Sequence, residues 1–176
     1  MAATRAEIEA LAPAVRRHDL ALLERTLAQL DLDACARLPA GYVHGDFHSR
    51  NLIFSQDNVD AVLDFDVVHR TVRALDVARS LLAFAQPQPG SLHARPEFAT
   101  AFLAGYQRHR PLTDAERAAL PTLLALTFAP RARKCELLAA EGADPASWAA
   151  GCIGAVAALA AQRGALAQTI AAGTLR

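Results

Sequence analysis

The sequence predicts an α+β fold, mostly α-helical, with one small antiparallel β-hairpin, and three observations carry that expectation. Alanine, the best helix former, occurs 41 times in 176 residues. None of those alanines falls in residues 41–60. Within and just after that gap, the β-prone runs 52–54 and 61–63 flank a Ser55-Gln56-Asp57-Asn58 turn.

Taken in chain order, Thr4 and Glu7 read as a capping box for a short helix that Pro13 should bend or stop. Asp19 reads as the cap of a second helix, with Leu20, Leu23, Leu27 and Leu30 along one face. Pro39-Ala40-Gly41 closes this helical lead-in, and Tyr42-Val43 is a further β-prone run. Beyond the hairpin the helical period returns. Leu75, Ala78, Leu82 and Ala85 form one stripe, ended by Pro87, Pro89 and Gly90. Phe98, Phe102, Gly105 and His109 form another. Thr113 and Glu116 make a second capping box before a leucine-rich helix that Pro121 is expected to interrupt. Gly142 reads as a stop, and Asp144-Pro145 starts a last alanine-rich helix that runs towards Gly173. One domain, 1–176, follows: a lead-in at 1–40, the polar stretch at 41–66 and a helical region at 74–173.

Composition narrows the function classes. Eighteen basic and eighteen acidic residues balance, so no broad field favours nucleic acid or an anionic membrane as partner. Cys35, Cys135 and Cys152 are odd in number and lack metal-ligand spacing, so they read as reduced core residues of a cytoplasmic protein. The longest apolar and small run, 148–161, has 14 residues, which suits a buried helix better than a membrane span. Arg131, Arg133 and Lys134 read as a solvated helix face.

The chemistry concentrates in "GYVHGDFHSRNLIFSQDNVDAVLDFD", residues 41–66. If Leu52 faces Leu63 and Phe54 faces Ala61, the register places Asn51 opposite Asp64. Facing residues lie roughly 4.5–5.5 Å apart, so an amide oxygen and a carboxylate would share one hard cation. Asp46, on the loop before them, would stay free of the metal. A free carboxylate beside two oxygen ligands is a phosphoryl-transfer layout, in which positioning and charge neutralisation do most of the catalysis.

"HGDFHSRN", an apolar–turn–apolar run and "LDFD" together resemble the catalytic loop and metal-binding hairpin of the aminoglycoside phosphotransferase and choline kinase superfamily, distant relatives of protein kinases. The likeness is strong over 43–76 and looser from 19 to 133. It implies a protein-kinase-like C-terminal lobe that transfers the γ-phosphate of ATP to a hydroxyl of a small polar molecule, with Mg2+. By resemblance Asp46 is the catalytic base, Asn51 and Asp64 are the metal ligands, and His44 and Asp76 support the loop. Asp66 fits either accessory metal ligation or capping of the following turn. His48 fits either substrate or phosphate contact or a solvated loop position. Thr71-Val72-Arg73 stands where family members often have Gly-Pro, which leaves the local backbone open.

The family also implies an N-terminal lobe with a phosphate-covering loop and a nucleotide lysine. Residues 1–40 contain no glycine and no lysine and read as two helices, so that lobe is expected to be absent here. It would then lie in a longer reading frame, arrive on a partner chain, or be dispensed with in a non-catalytic interaction module. An apolar face left by it would favour a partner or a homodimer. "GDFH" also resembles metallophosphoesterase loops, although no later Gly-Asn-His cluster accompanies it.

Overall fold

Three short helices open the computed structural model, which describes residues 5–88 and 91–173. Helix α1 (Arg5–Leu11) stops two residues before Pro13, and its expected Thr4 cap lies outside the described residues. Helix α2 (Arg17–Leu27) buries Leu23 and Leu27 as its periodicity predicts. Its N-cap is Arg16, however, and Asp19 lies inside the first turn. The expectation of an Asp19 cap fails because an acid is favoured both at a cap and one turn inside, where it meets the helix dipole. Helix α3 (Leu32–Ala36) is capped by Asp31, whose carboxylate accepts the Ala34 N–H at 2.8 Å.

The central segment builds two small antiparallel sheets. Strand β1 (Ala40–Val43) is followed by a 3₁₀ turn at Ser49–Asn51, then by β2 (Leu52–Ser55) and β3 (Asn58–Val62). Strand β4 (His69–Val72), which the pattern did not reveal, pairs with β1 from Ala40 opposite Val72 to Val43 opposite His69. Strands β2 and β3 form the expected hairpin, with a corrected register. Leu52 faces Val62 and Ile53 faces Ala61, and a bulge then sets Phe54 opposite Val59. The bulge puts one extra residue, Asp60, into β3. Accordingly Asn51 O accepts the Leu63 N–H at 2.8 Å, and Asp64 sits one residue past Asn51's partner.

Five helices complete the fold. Helix α4 (Arg73–Ala85) buries Ala78, Leu82 and Ala85 on the expected stripe and ends before Pro87; Pro89 and Gly90 lie outside the described residues. Helix α5 (Pro96–His109) buries Ala99 and Leu103; of the expected stripe Phe102 packs partly buried against the core, while Phe98 and His109 do not. Phe98 is exposed, with the Arg95 guanidinium 3.6 Å from its ring centroid. An aromatic under an arginine is satisfied at the surface, and periodicity alone does not distinguish that from burial. Helix α6 (Asp114–Thr127) carries the expected Thr113/Glu116 capping box but runs unbroken through Pro121, which is buried in its interior. Packing there outweighs the missing N–H. Helices α7 (Ala132–Ala140) and α8 (Pro145–Gly173) follow, with Gly142 between them at φ 75°.

Helix α8 packs on α6, α5, α2 and α7, while α4 packs on α5 and α6. By length and composition α8 could cross a membrane. Its buried positions Ala149, Ile153, Val156 and Ala160 nonetheless follow a core-facing period, and much of its remaining apolarity is alanine and glycine. The β1–β4 sheet packs on α4, and the loop after β1 is held at the first turn of that helix.

Candidate active site

The loop after β1 hangs from one carboxylate. Asp76, in the first turn of α4, accepts the His44 N–H on Oδ2 at 2.9 Å and the Gly45 N–H on Oδ1 at 3.0 Å. Gly45 has φ +81°, and a Cβ there would lie 2.8 Å from the Val67 carbonyl oxygen. Only glycine allows the chain to turn this tightly against that strand connection. Asp76 therefore fixes the loop through its backbone and leaves the loop's side chains free for other work.

His44 ties the loop to the hairpin. Its Nδ1 accepts the Asp46 N–H at 3.3 Å, so Nε2 carries the proton and donates to the Leu63 carbonyl oxygen at 2.9 Å. The ring lies 5.0 Å from Phe65 and 5.8 Å from Phe47, and the aromatic chain continues through Phe84 to Phe102 on α5. Phe65 is thereby connected to the helical core although more than half of it is exposed.

Asn51 closes the loop from its other end. It is buried to 9% exposure, and its Nδ2 donates to the Asp46 carbonyl oxygen at 2.9 Å. That bond orients the amide so that its remaining group is the oxygen. Asp64 follows Leu63 at φ 61°, a left-handed conformation that glycine adopts freely and that asparagine and aspartate tolerate better than other residues. Asn51 and Asp64 thus flank the same backbone pairing, and the structure brings both to the base of the hairpin. An amide oxygen and a carboxylate are donors of the hard type that Mg2+ accepts, so the residues present fit that ion. The described residues hold no group of three or more His, Cys, Asp and Glu side chains placed to share a metal. Asp66 lies exposed in the turn after Asp64.

The Asp46 carboxylate has two neighbours. Arg79 Nη2 donates to Oδ1 at 2.6 Å, and His48 Nε2 lies 3.3 Å from Oδ2. Sequence reasoning missed Arg79. Its signal was available: Asp76 and Arg79 are spaced i, i+3 on one helix, so a helix that turns Asp76 towards the loop turns Arg79 there as well. His48 touches the loop's own carboxylate, while its Nδ1 is buried without a partner among the described residues.

One ion pair pins this region to the helices. Arg73 donates from Nε and Nη2 to the two Glu116 oxygens at 2.5 and 2.6 Å, and Glu116 is 0% exposed. Glu116 also accepts the Thr113 N–H at 2.9 Å. The Arg73 hydrogen bonds, joined by those from Thr113 and opposed by burial, hold the Glu116 carboxyl below its ordinary value of 4.5. The backbone left open at Thr71-Val72-Arg73 is thus an edge of β4 leading into an arginine anchor, with Arg73 N–H donating to Pro39 O at 3.1 Å.

Comparison with known proteins adds to this geometry. The sequence profile of the Phosphotransferase enzyme family matches residues 2–120. The chain is 39% identical over 90 residues to a homoserine kinase of Gluconobacter oxydans, covering 51% of this chain and 28% of that protein. It is 36% identical over 104 residues to a homoserine kinase of Caulobacter sp. strain K31, covering 58% and 32%. With the homoserine kinase of Gluconacetobacter diazotrophicus it shares 35% over 127 residues, covering 71% and 38%. The chain spans about a third of the length of the curated relatives it matches.

Proposed function

The chain belongs to the phosphotransferase enzyme family, and from that premise we propose that residues 1–176 form the kinase-like catalytic lobe of an ATP-dependent small-molecule kinase. In this reading Asp46 is the base. The acceptor oxygen bonds to the γ-phosphorus, and the bond from that phosphorus to the β–γ bridging oxygen breaks. ADP leaves with its electron pair, and the hydroxyl proton passes to the Asp46 carboxylate. Arg79 and His48 hold that carboxylate in place. His44, Asn51 and Asp76 keep the loop from moving as the proton arrives. Asn51 and Asp64 would hold Mg2+, which supplies charge neutralisation at the phosphates when bound; Asp66 stands by as an accessory acid.

The observation that carries this reading is the convergence of three contacts on one loop. Asp76 takes two backbone N–H groups, Asn51 takes the Asp46 carbonyl, and His44 bridges to the hairpin end. Such bracing presents one carboxylate at a defined point, which is what in-line transfer needs. Because the matched segments cover only 28% and 32% of those relatives, we propose that the nucleotide site is completed by an N-terminal lobe carried on another segment or chain.

The test is transfer from γ-labelled ATP to a panel of homoserine, choline and an aminoglycoside. The chain is assayed alone and with the N-terminal portion of the Gluconobacter oxydans homoserine kinase supplied in trans. Transfer in the reconstituted mixture, falling by roughly 10²–10⁴-fold in Asp46→Asn, is the expected result. Asp46→Asn turning over at the wild-type rate overturns Asp46 as the base.

A further inference from the structure

A groove of about 480 Å³ opens beside the Asp46 carboxylate, within the range of small-ligand sites. Its walls carry His48, Arg50, Arg79, Arg131 and Lys134, and no Asp or Glu lines it. Its floor is apolar, from Leu82, Phe128 and Trp148. Four of the chain's cations therefore face one space, in a protein whose charges otherwise balance eighteen to eighteen. Among the described residues, no carboxylate pairs with Arg50, Arg131 or Lys134, whereas their neighbour Arg133 has Glu136 at 3.0 Å. Like charges gathered without counterions repel, so the arrangement is most stable with an anion present.

The groove also borders the candidate base. Two of its residues touch the Asp46 carboxylate, Arg79 at 2.6 Å and His48 at 3.3 Å. Its other walls are Arg50, from the turn that also carries Asn51, the helical elements α4, α6, α7 and α8 and the α6–α7 connection; no residue of β2 or β3 lines it. A larger cavity of about 540 Å³ lies across Asp76, but both Asp76 oxygens there are already used by the loop.

We propose that this groove is the acceptor subsite and that it selects small alcohols bearing an anionic end, a carboxylate or a phosphate ester, over neutral or cationic alcohols. The hydroxyl's role rests on the function proposed above; the charge preference does not. Arg131 and Lys134 hold the anionic end, the apolar floor takes a short aliphatic body, and the hydroxyl end points to Asp46. Arg79, with five donors, spans the ligand's end of the groove and the base.

The test needs no nucleotide. The ¹⁵N-labelled chain is titrated with 4-hydroxybutyrate, glycerol 3-phosphate, 1,4-butanediol and 4-aminobutan-1-ol, following amide and arginine Nε–H resonances. We expect at least one of the two anions to bind ten-fold or more tighter than the diol, with shifts centred on Arg79 and Arg131. The tighter of the two identifies the anionic group. The exposed pair Arg131→Gln/Lys134→Gln keeps its amide spectrum and loses about ten-fold in anion affinity, with the diol unchanged. Equal binding of the diol or the aminoalcohol, or an unaltered double variant, overturns the subsite. Selective anion binding without any phosphoryl transfer would keep the groove and remove the kinase reading; transfer to neutral alcohols that the double variant leaves untouched would do the reverse.

Discussion

Asp64 occupies a left-handed backbone position at φ 61° in a place where glycine would rest without strain. An acid in that conformation raises the question of whether its side chain has a task. Backbone and side-chain roles there separate cleanly. Asp64→Gly should leave stability within about 1 kcal/mol of wild type, since relief of strain offsets the added freedom of the unfolded chain. Asp64→Ala should be less stable than Asp64→Gly by about 1 kcal/mol. Both should abolish the Mn2+-induced broadening of Asn51 resonances that the wild-type chain is expected to show. Chemical denaturation and a manganese titration read the two effects, and broadening that survives in either variant removes Asp64 from the metal site. At this scale much was legible in the sequence. Asp46 and Asn51 stood out as candidates because they are close together on one loop, whereas Asp76, an ordinary first-turn acid by its local pattern, was singled out only by the family resemblance. Arg79 was missed, because its partner depends on which face α4 turns inward.

At the scale of elements, the hairpin and the helix starts followed from turn and cap chemistry, and the capping box at Thr113 formed as its residues require. The register did not follow. An extra residue in β3 costs little locally and shifts every partner by one, and no side-chain alternation announces it. Strand β4 was hidden for a related reason: "HRTV" is short and half exposed, and becomes a strand only because β1 lies beside it. The Arg73–Glu116 pair joins α4 to α6 across 43 positions, a partnership that no local pattern encodes. Its consequence is a pH dependence. The Glu116 carboxyl is held below 4.5 in the folded chain, chiefly by Arg73. Its stabilisation is therefore complete above the unfolded carboxyl range near pH 4.5 and is lost as pH falls through the folded value. Glu116→Gln should cost about 3 kcal/mol at pH 7 and flatten the loss of stability below pH 4.5. Thermal unfolding from pH 7 to 3 checks both, and parallel curves for the two proteins would mean that Arg73 does not set the acid limb.

For the molecule as a whole, most of the exposed large apolar side chains belong to one segment of the chain, with Phe98 and Leu137 apart from it. Tyr42, Ile53, Phe54, Val59, Phe65 and Val67 all belong to the strands and the turn after the hairpin, and Tyr42 is 78% exposed. Scattered apolar residues need no explanation, but this many on one short segment suits a surface that is covered in use. It lies on the same segment as Asn51 and Asp64, where a nucleotide-covering lobe would sit in the function proposed here. The chain alone should therefore self-associate as concentration rises, and Phe54→Ser/Phe65→Ser should reduce that association. Light scattering across a wide concentration range tests it, and a wild-type chain that stays monomeric throughout would count against a covered face.

What the sequence determined by itself was everything that short-range chemistry controls. Alanine content and helical spacing made the fold mostly helical; the alanine-free stretch marked the loop and hairpin; and the order of His44, Gly45, Asp46 and Asn51 marked the candidate base and one metal donor. Tertiary structure decided what requires two distant segments to meet. It paired β4 with β1, set the bulged register, and turned Arg79 onto Asp46. It also carried Arg131 and Lys134, which read as an ordinary solvated face, to the same groove as Arg50 and Arg79. The physical reason is one of range. Propensity, caps and turns act over a few residues, whereas charge pairing and sheet pairing act through space, and their partners exist only once the chain has folded.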